Sequence, residues 1–158
     1  MQLQPGDEAY VTAEGALKTP TSLLFILLFL MRGYAAWVVS LTFAQDRGRL
    51  LQFFYTTTEQ FGIALLVGLP ALFALIMVSQ VKQVAPVWVR RGMRWLPILL
   101  GVGLLGDGWL LASLISAIWP TFSVVKGALV FGWFAAAWML LFSRHLKRYR
   151  QLVMQGEG

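Results

Sequence analysis

The sequence predicts an all-α integral membrane domain, a bundle of four transmembrane helices. Two observations come from composition: 58% of the 158 residues are hydrophobic and only 13% are charged, a balance far from that of soluble domains. The third is that the apolar residues gather in four stretches, each long enough to cross the roughly 30 Å hydrocarbon core of a bilayer. We therefore expect a single membrane domain over residues 1–158.

The predicted spans are residues 21–43, 61–79, 95–119 and 123–143. Thr19 followed by Pro20 is typical of a helix start, as the cap and first helical residue of span one. Within span two, Pro70 is expected to kink the helix, because proline removes a backbone donor and clashes with the preceding turn. A static bend is favoured over a hinge at that position.

Basic residues lie mainly beside two spans, in the connection 80–94 and in the tail after span four. They are Lys82, Arg90, Arg91, Arg94, Arg144, Lys147, Arg148 and Arg150. The positive-inside rule assigns these segments to the cytoplasm. Four spans then leave both termini on the cytoplasmic side. This topology accounts for the net charge of +6 without a nucleic-acid partner, and the first apolar stretch is expected to remain as an anchor because it is too long for a signal peptide.

Two opposite charges lie within predicted spans. Arg32 is near the midpoint of span one and Asp107 is near the midpoint of span three, so both should lie at similar depth. Each costs about 2.5–3.5 kcal/mol at a helix centre, which gives both a reason to pair. A structural salt bridge that fixes helix register is favoured over a proton or ion relay, because a transport path normally uses more polar groups.

Small residues mark the predicted helix-packing faces. One group surrounds Asp107, and the other forms a small-xxx-small stripe on span four that packs within the bundle or against a second copy. These positions are Gly103, Gly106, Gly108, Ala128, Gly132 and Ala136.

The sequence offers little for catalysis or for binding a cofactor. It has no cysteine and only one histidine, His145, so neither a thiolate site nor a histidine cluster can form. Gly101, Gly103 and Gly106 spell a dinucleotide-binding pattern, but that pattern works only between a strand and a helix, and here it lies in an apolar helix. We predict no catalytic, cofactor-binding or metal-binding residues, and we expect that the protein is not an enzyme.

Several short motifs occur in a particular order in the first two thirds of the chain. They are Tyr10, the run GALKTP at 15–20, Arg32 within span one, Leu50 and Leu51 before Phe54 and Tyr55, and residues 68–70 in span two. In this order the chain resembles the YfeZ-like family of small bacterial inner-membrane proteins of unknown function. The resemblance implies a bacterial inner-membrane location and a four-span bundle, and it implies no activity.

These features favour a non-enzymatic accessory or scaffold subunit of a membrane complex. Its expected partners are the lipid bilayer and either a second copy of the chain or a larger complex. The alternative is a small oligomeric transporter or ion pathway that uses Arg32 and Asp107. A third hypothesis is a lipid-interacting or envelope-stress protein that works through the first loop and the basic tail from Arg144 to Arg150. The charges of the tail would attract anionic lipid or an acidic partner.

Overall fold

The computed structural model describes residues 10–13, 17–42, 58–81, 85–117 and 123–155. Outside these ranges lie residues 15 and 16 of the GALKTP run, residue 43 of the first predicted span, the motif at 50–55, Lys82 and the last two residues of the predicted span 95–119. Within them the chain is all-helical: six helices are present, and an isolated antiparallel bridge between Val11 and Leu17 precedes them. The helices are α1 (Thr21–Leu30), α2 (Arg32–Thr42), α3 (Thr58–Ser79), α4 (Val87–Ala117), α5 (Val124–Phe142) and α6 (Arg144–Gln155).

The first predicted span is broken into two helices. α1 ends at Leu30 and α2 begins at Arg32, with an angle of 59° between them. Met31 lies between the helices with φ −86° and ψ 4°, which is the bridge region of backbone space. The main chain remains well bonded there, since the Met31 N–H still donates to Leu27 O and its carbonyl accepts from Ala35. The prediction of one span over 21–43 therefore becomes a bent pair of helices.

Helices α3, α4 and α5 are each long and apolar enough to cross a membrane, and the bent pair of α1 and α2 makes a fourth candidate span. α3 is one continuous helix that includes Pro70. α4 has 31 residues and is therefore about 46 Å long at 1.5 Å per residue, longer than the hydrocarbon core. It begins at Val87, ahead of the predicted span start at 95, because arginine lowers hydropathy yet favours helix.

The tail after α5 folds as the amphipathic helix α6. Its buried residues, Leu146, Tyr149, Leu152 and Val153, recur at helical spacing. Helix α6 contacts α4, and Leu146, Tyr149 and Val153 belong to the hydrophobic core. Ser143 joins the two helices: its hydroxyl accepts from the Leu146 N–H over 3.2 Å, as an N-cap does.

Packing of α6 on α4 brings the basic residues of both helices to one end of the bundle. We call this group the basic end; its members are Arg90, Arg91, Arg94, Arg144, Lys147, Arg148 and Arg150. Neither α6 nor the first turn of α4 contributes an acidic residue.

The core is made by residues of α1, α3, α4, α5 and α6. Leu23 and Ile26 of α1 are fully buried, as are Ala74 of α3 and Leu100 of α4. Large apolar side chains also cover the outer surface, with Trp109 and Phe131 among the most exposed. An apolar exterior around an apolar core is what a bilayer requires of the helices that cross it.

Candidate functional site

Arg32 and Asp107 meet inside the bundle. Arg32 is the first residue of α2, and Asp107 lies in the second half of α4. The distance between Arg32 Nη2 and Asp107 Oδ1 is 2.8 Å, and the two side chains are 14% and 5% exposed. A contact of this length is a charge-assisted hydrogen bond, so the two charges form a direct ion pair.

The guanidinium of Arg32 has two further contacts, both with Phe29. Arg32 Nη1 donates to Phe29 O over 3.1 Å, and its central carbon lies 4.7 Å from the centre of the Phe29 ring. The carbonyl belongs to the last turn of α1 and also accepts a backbone N–H at the C-cap, and a cation above a ring face is attracted to the ring. Phe29 was not among the predicted site residues, although in one unbroken span its position three residues before Arg32 would put both on one helix face.

Asp107 is the one buried polar or charged residue among those the structure describes. Its second oxygen, Oδ2, is buried and has no hydrogen-bond partner within the described ranges. One carboxylate oxygen thus binds Arg32 while the other can accept a proton or a hydrogen bond. The site can therefore hold a neutral ion pair, and it has one acceptor position to spare.

Close packing around Asp107 depends on the predicted glycine face of α4. A Cβ at Gly106 would lie 3.1 Å from Val67 Cγ2, and one at Gly108 would lie 2.9 Å from the Trp133 ring. A Cβ at Gly103 would lie 3.3 Å from Leu30 Cδ1. These glycines let α1, α3 and α5 approach α4 on the sides that flank Asp107.

The small-residue stripe of α5 divides into two parts. Gly132 faces Phe29, whose ring would lie 2.7 Å from an added Cβ, and Ala136 is fully buried. Ala128 is exposed. Two of the three positions therefore contact the bundle, and the third lies on the outer surface.

Two hydrogen bonds between helices surround the site, and neither was predicted from the sequence. Trp133 Nε1 donates to Leu104 O over 2.7 Å and joins α5 to α4. Tyr34 donates its hydroxyl to Leu65 O over 2.7 Å and joins α2 to α3. Because buried Tyr and Trp usually find a partner for their polar atom, their presence in spans was a signal, but the partner carbonyls could not be read from sequence.

The single histidine, His145, makes an aromatic contact. It lies in the first turn of α6, with its ring 4.6 Å from that of Tyr10, and this contact connects α6 to the segment before α1. Within the described residues, no three of His, Cys, Asp and Glu come together in a group that could hold a metal ion.

Residues 7–151 match the model of a family described as "Protein of unknown function (DUF2919)". No curated protein and no solved structure matches the chain. The match agrees with the predicted membership of a family of unknown function, but nothing in it ties the chain to the YfeZ-like name.

Proposed function

We propose that the chain, which belongs to the DUF2919 family of unknown function, is a non-enzymatic accessory or scaffold subunit of a membrane complex. The observation that carries this proposal is the direct pairing of Arg32 with Asp107 over 2.8 Å inside the bundle. A charge at the centre of a membrane helix is costly, and pairing with an opposite charge offsets that cost. The pair then acts as a fixed connection between α2 and α4.

A structural role also agrees with the contacts of the arginine. Arg32 is held by a carboxylate, a backbone carbonyl and an aromatic ring. A side chain with three fixed partners stabilises one arrangement of helices, because movement of the guanidinium would break all three contacts. Buried ion pairs are best attested as such register devices.

The proposal includes a location in the bacterial inner membrane, with several spans and both termini in the cytoplasm. Three to four apolar helices support the membrane part. The basic end supports the orientation, because positively charged segments stay on the cytoplasmic side. A fluorescent protein that folds only in the cytoplasm, fused after residue 158, tests the orientation: fluorescence is expected, and its absence at normal expression would contradict it.

Association with a partner would use large apolar side chains rather than the small-residue faces. Gly103, Gly106, Gly108 and Gly132 already contact neighbouring helices of the same chain. The outer surface instead presents residues such as Trp109, which is 78% exposed.

Copurification in mild detergent tests the scaffold role. We expect the tagged chain to elute as an oligomer or with a stoichiometric membrane partner, identified by mass spectrometry. A strictly monomeric chain without a retained partner, in several mild detergents, would contradict the proposal.

The second candidate function is an ion pathway, and one observation favours it: the buried and unpartnered Oδ2 of Asp107. An intramembrane carboxylate is a frequent element of proton relays. Proton flux into liposomes that contain the purified protein and a pH-sensitive dye tests this second function. Proton flux that Asp107→Asn abolishes would support the pathway, and flux no greater than that of empty liposomes, with or without a potential, would exclude proton conduction.

A further inference from the structure

A cavity of about 230 Å³ opens between α4, α5 and α6 at the basic end of the bundle. Its lining is apolar except at one edge, where Lys147 and Arg150 of α6 provide two cations. The apolar lining residues are Leu96, Pro97, Leu100, Leu140, Leu141 and Leu146.

The positions of the two cations follow from the helix that carries them. Lys147 and Arg150 are three residues apart and are therefore neighbours on one side of α6. Arg150 also lies four residues after the buried Leu146, so its side chain begins on the packed face. This position explains why Arg150 is only partly exposed while Lys147 is exposed.

Arg150 has a buried donor that lacks an acceptor. Its Nε atom is buried and has no hydrogen-bond partner within the described residues. The guanidinium carries further N–H donors beside Nε, Arg150 lines the cavity together with Lys147, and phosphate oxygens are well matched to a guanidinium. The arrangement therefore favours a phosphate group at the charged edge of the cavity.

The remaining surface of the cavity indicates what is attached to that phosphate. Leu141 lines the cavity and is 63% exposed, and the neighbouring Phe142 is 58% exposed. The cavity is therefore continuous with the apolar outer surface of α5. A phosphate ion alone would leave these leucines uncovered, whereas the acyl chains of a lipid would cover them.

The cavity lies at the level of the bilayer where lipid phosphates are expected. The apolar helix α5 ends at Phe142, and the strongly basic helix α6 begins at Arg144. This change of polarity marks the boundary between hydrocarbon and headgroups, where lipid phosphates lie. Basic pockets between helices at this level are known sites for acidic lipids.

We infer that the cavity between α4, α5 and α6 binds one anionic phospholipid. Lys147 and Arg150, the two cations of the lining, hold the phosphate, and the six apolar residues contact the acyl chains. This role concerns the bound lipid alone and holds whether the chain acts as a scaffold or as a pathway.

Native mass spectrometry of the full chain in detergent tests the inference with two lipids that share their acyl chains, dioleoylphosphatidylglycerol and dioleoylphosphatidylcholine. We expect one retained phosphatidylglycerol and no comparable retention of phosphatidylcholine. Substitution of both cations, Lys147→Gln with Arg150→Gln, should weaken phosphatidylglycerol binding by roughly thirtyfold, the effect of two cations at an anionic headgroup.

The matched control is the double variant Arg91→Gln with Arg144→Gln, which removes the same charge from exposed residues of the basic end that do not line the cavity. Its binding should stay within roughly threefold of the unchanged chain, less than the effect of one direct contact. Equal loss in both double variants would mean attraction by diffuse surface charge and would overturn the proposed site.

Two further measurements distinguish a bound lipid from a bound phosphate ion and locate it in this cavity. Inorganic phosphate should not displace the bound phosphatidylglycerol, and displacement at millimolar phosphate would replace the lipid site with a simple anion site. Leu141→Trp keeps both cations and fills the mouth of the cavity, so it should also reduce binding. Unchanged binding in a Leu141→Trp protein that is still helical and monodisperse would contradict the assignment of this cavity.

Discussion

Arg32 Nη2 and Asp107 Oδ1 lie 2.8 Å apart, and Arg32 is the first residue after the break at Met31 that separates α1 from α2. The break and the ion pair are therefore adjacent in space and in sequence. The same arginine donates to Phe29 O in the last turn of α1. One side chain thus joins both halves of the bent span to α4.

Charge reversal at this pair should destabilise the protein strongly. Arg32→Asp and Asp107→Arg each leave two like charges in a buried site, and removal of one partner from a buried pair alone typically costs about 3–5 kcal/mol. The double swap should recover most of the loss, but not all of it, because the contacts of Arg32 with Phe29 would not be rebuilt. Thermal unfolding in detergent measures these effects.

Arg94→Asp is the control for that experiment, since it reverses a charge at an exposed position of α4. It should change stability by less than about 1 kcal/mol. If the single reversals at Arg32 and Asp107 were equally mild, the two residues would not be held as a pair, and the transport hypothesis would become the better one.

Glycine substitutions in α3 should separate close packing from helix propensity. A Cβ at Gly68 would lie 2.7 Å from the Tyr34 ring, which cannot easily move because its hydroxyl is bonded to Leu65 O. Gly68→Ala should therefore cost about 1–3 kcal/mol, as overpacking does. Gly62→Ala in the same helix meets nothing within 4 Å and should be neutral or stabilising by up to about 1 kcal/mol. Equal melting temperatures for the two variants would contradict this packing of α2 on α3.

The apolar helices were predicted correctly from the sequence, but the break at Met31 was not predicted. The spans at 61–79 and 123–143 nearly coincide with α3 and α5, because length and hydropathy define such helices. No proline occurs between Thr21 and Thr42, and Gly33, two residues after Met31, lowers helix propensity without forcing a break. The residue after the bend has its partner on another helix, since Arg32 pairs with Asp107, and such contacts are not visible in local sequence.

Helix α6 was predictable in principle. Its buried residues Leu146, Tyr149 and Val153 follow the 3–4 spacing of an amphipathic helix, but hydropathy averaging over a segment with four basic residues hides that pattern. The similar depth of Arg32 and Asp107 came from the span midpoints. A salt bridge between them was favoured but could not be established from sequence, because the contact depends on how the helices rotate about their axes.

The indole of Trp133 provides a test of the contact between α4 and α5. Trp133→Phe keeps an aromatic ring but removes the hydrogen bond to Leu104 O, so stability should fall by about 0.5–1.5 kcal/mol. Trp138→Phe is the matched control, because Trp138 is 67% exposed and its contact is a ring–ring contact with Phe142. An identical effect of both changes on thermal unfolding would argue against the Trp133 hydrogen bond.

Alkaline pH should weaken the docking of α6 through Tyr149. Burial raises the pKa of Tyr149 to about 12, although the neighbouring Thr19 side chain lowers it somewhat. A phenol with a pKa raised above its usual value of 10.0 stays protonated in the folded protein while it ionises in the unfolded chain. Its contribution to stability is therefore complete below pH 10 and is lost as the pH rises toward 12, with a total on the order of 2 kcal/mol.

The variant Tyr149→Phe isolates this effect, because it keeps the ring in the core and removes the ionisable group. The difference in melting temperature between the original chain and this variant should be constant up to about pH 9 and should then change in favour of Tyr149→Phe. Other titrating groups affect both proteins alike and cancel in the difference. A difference that stays constant to about pH 12 would mean that the Tyr149 hydroxyl reaches water in the folded protein, which would contradict the burial of Tyr149 in the core.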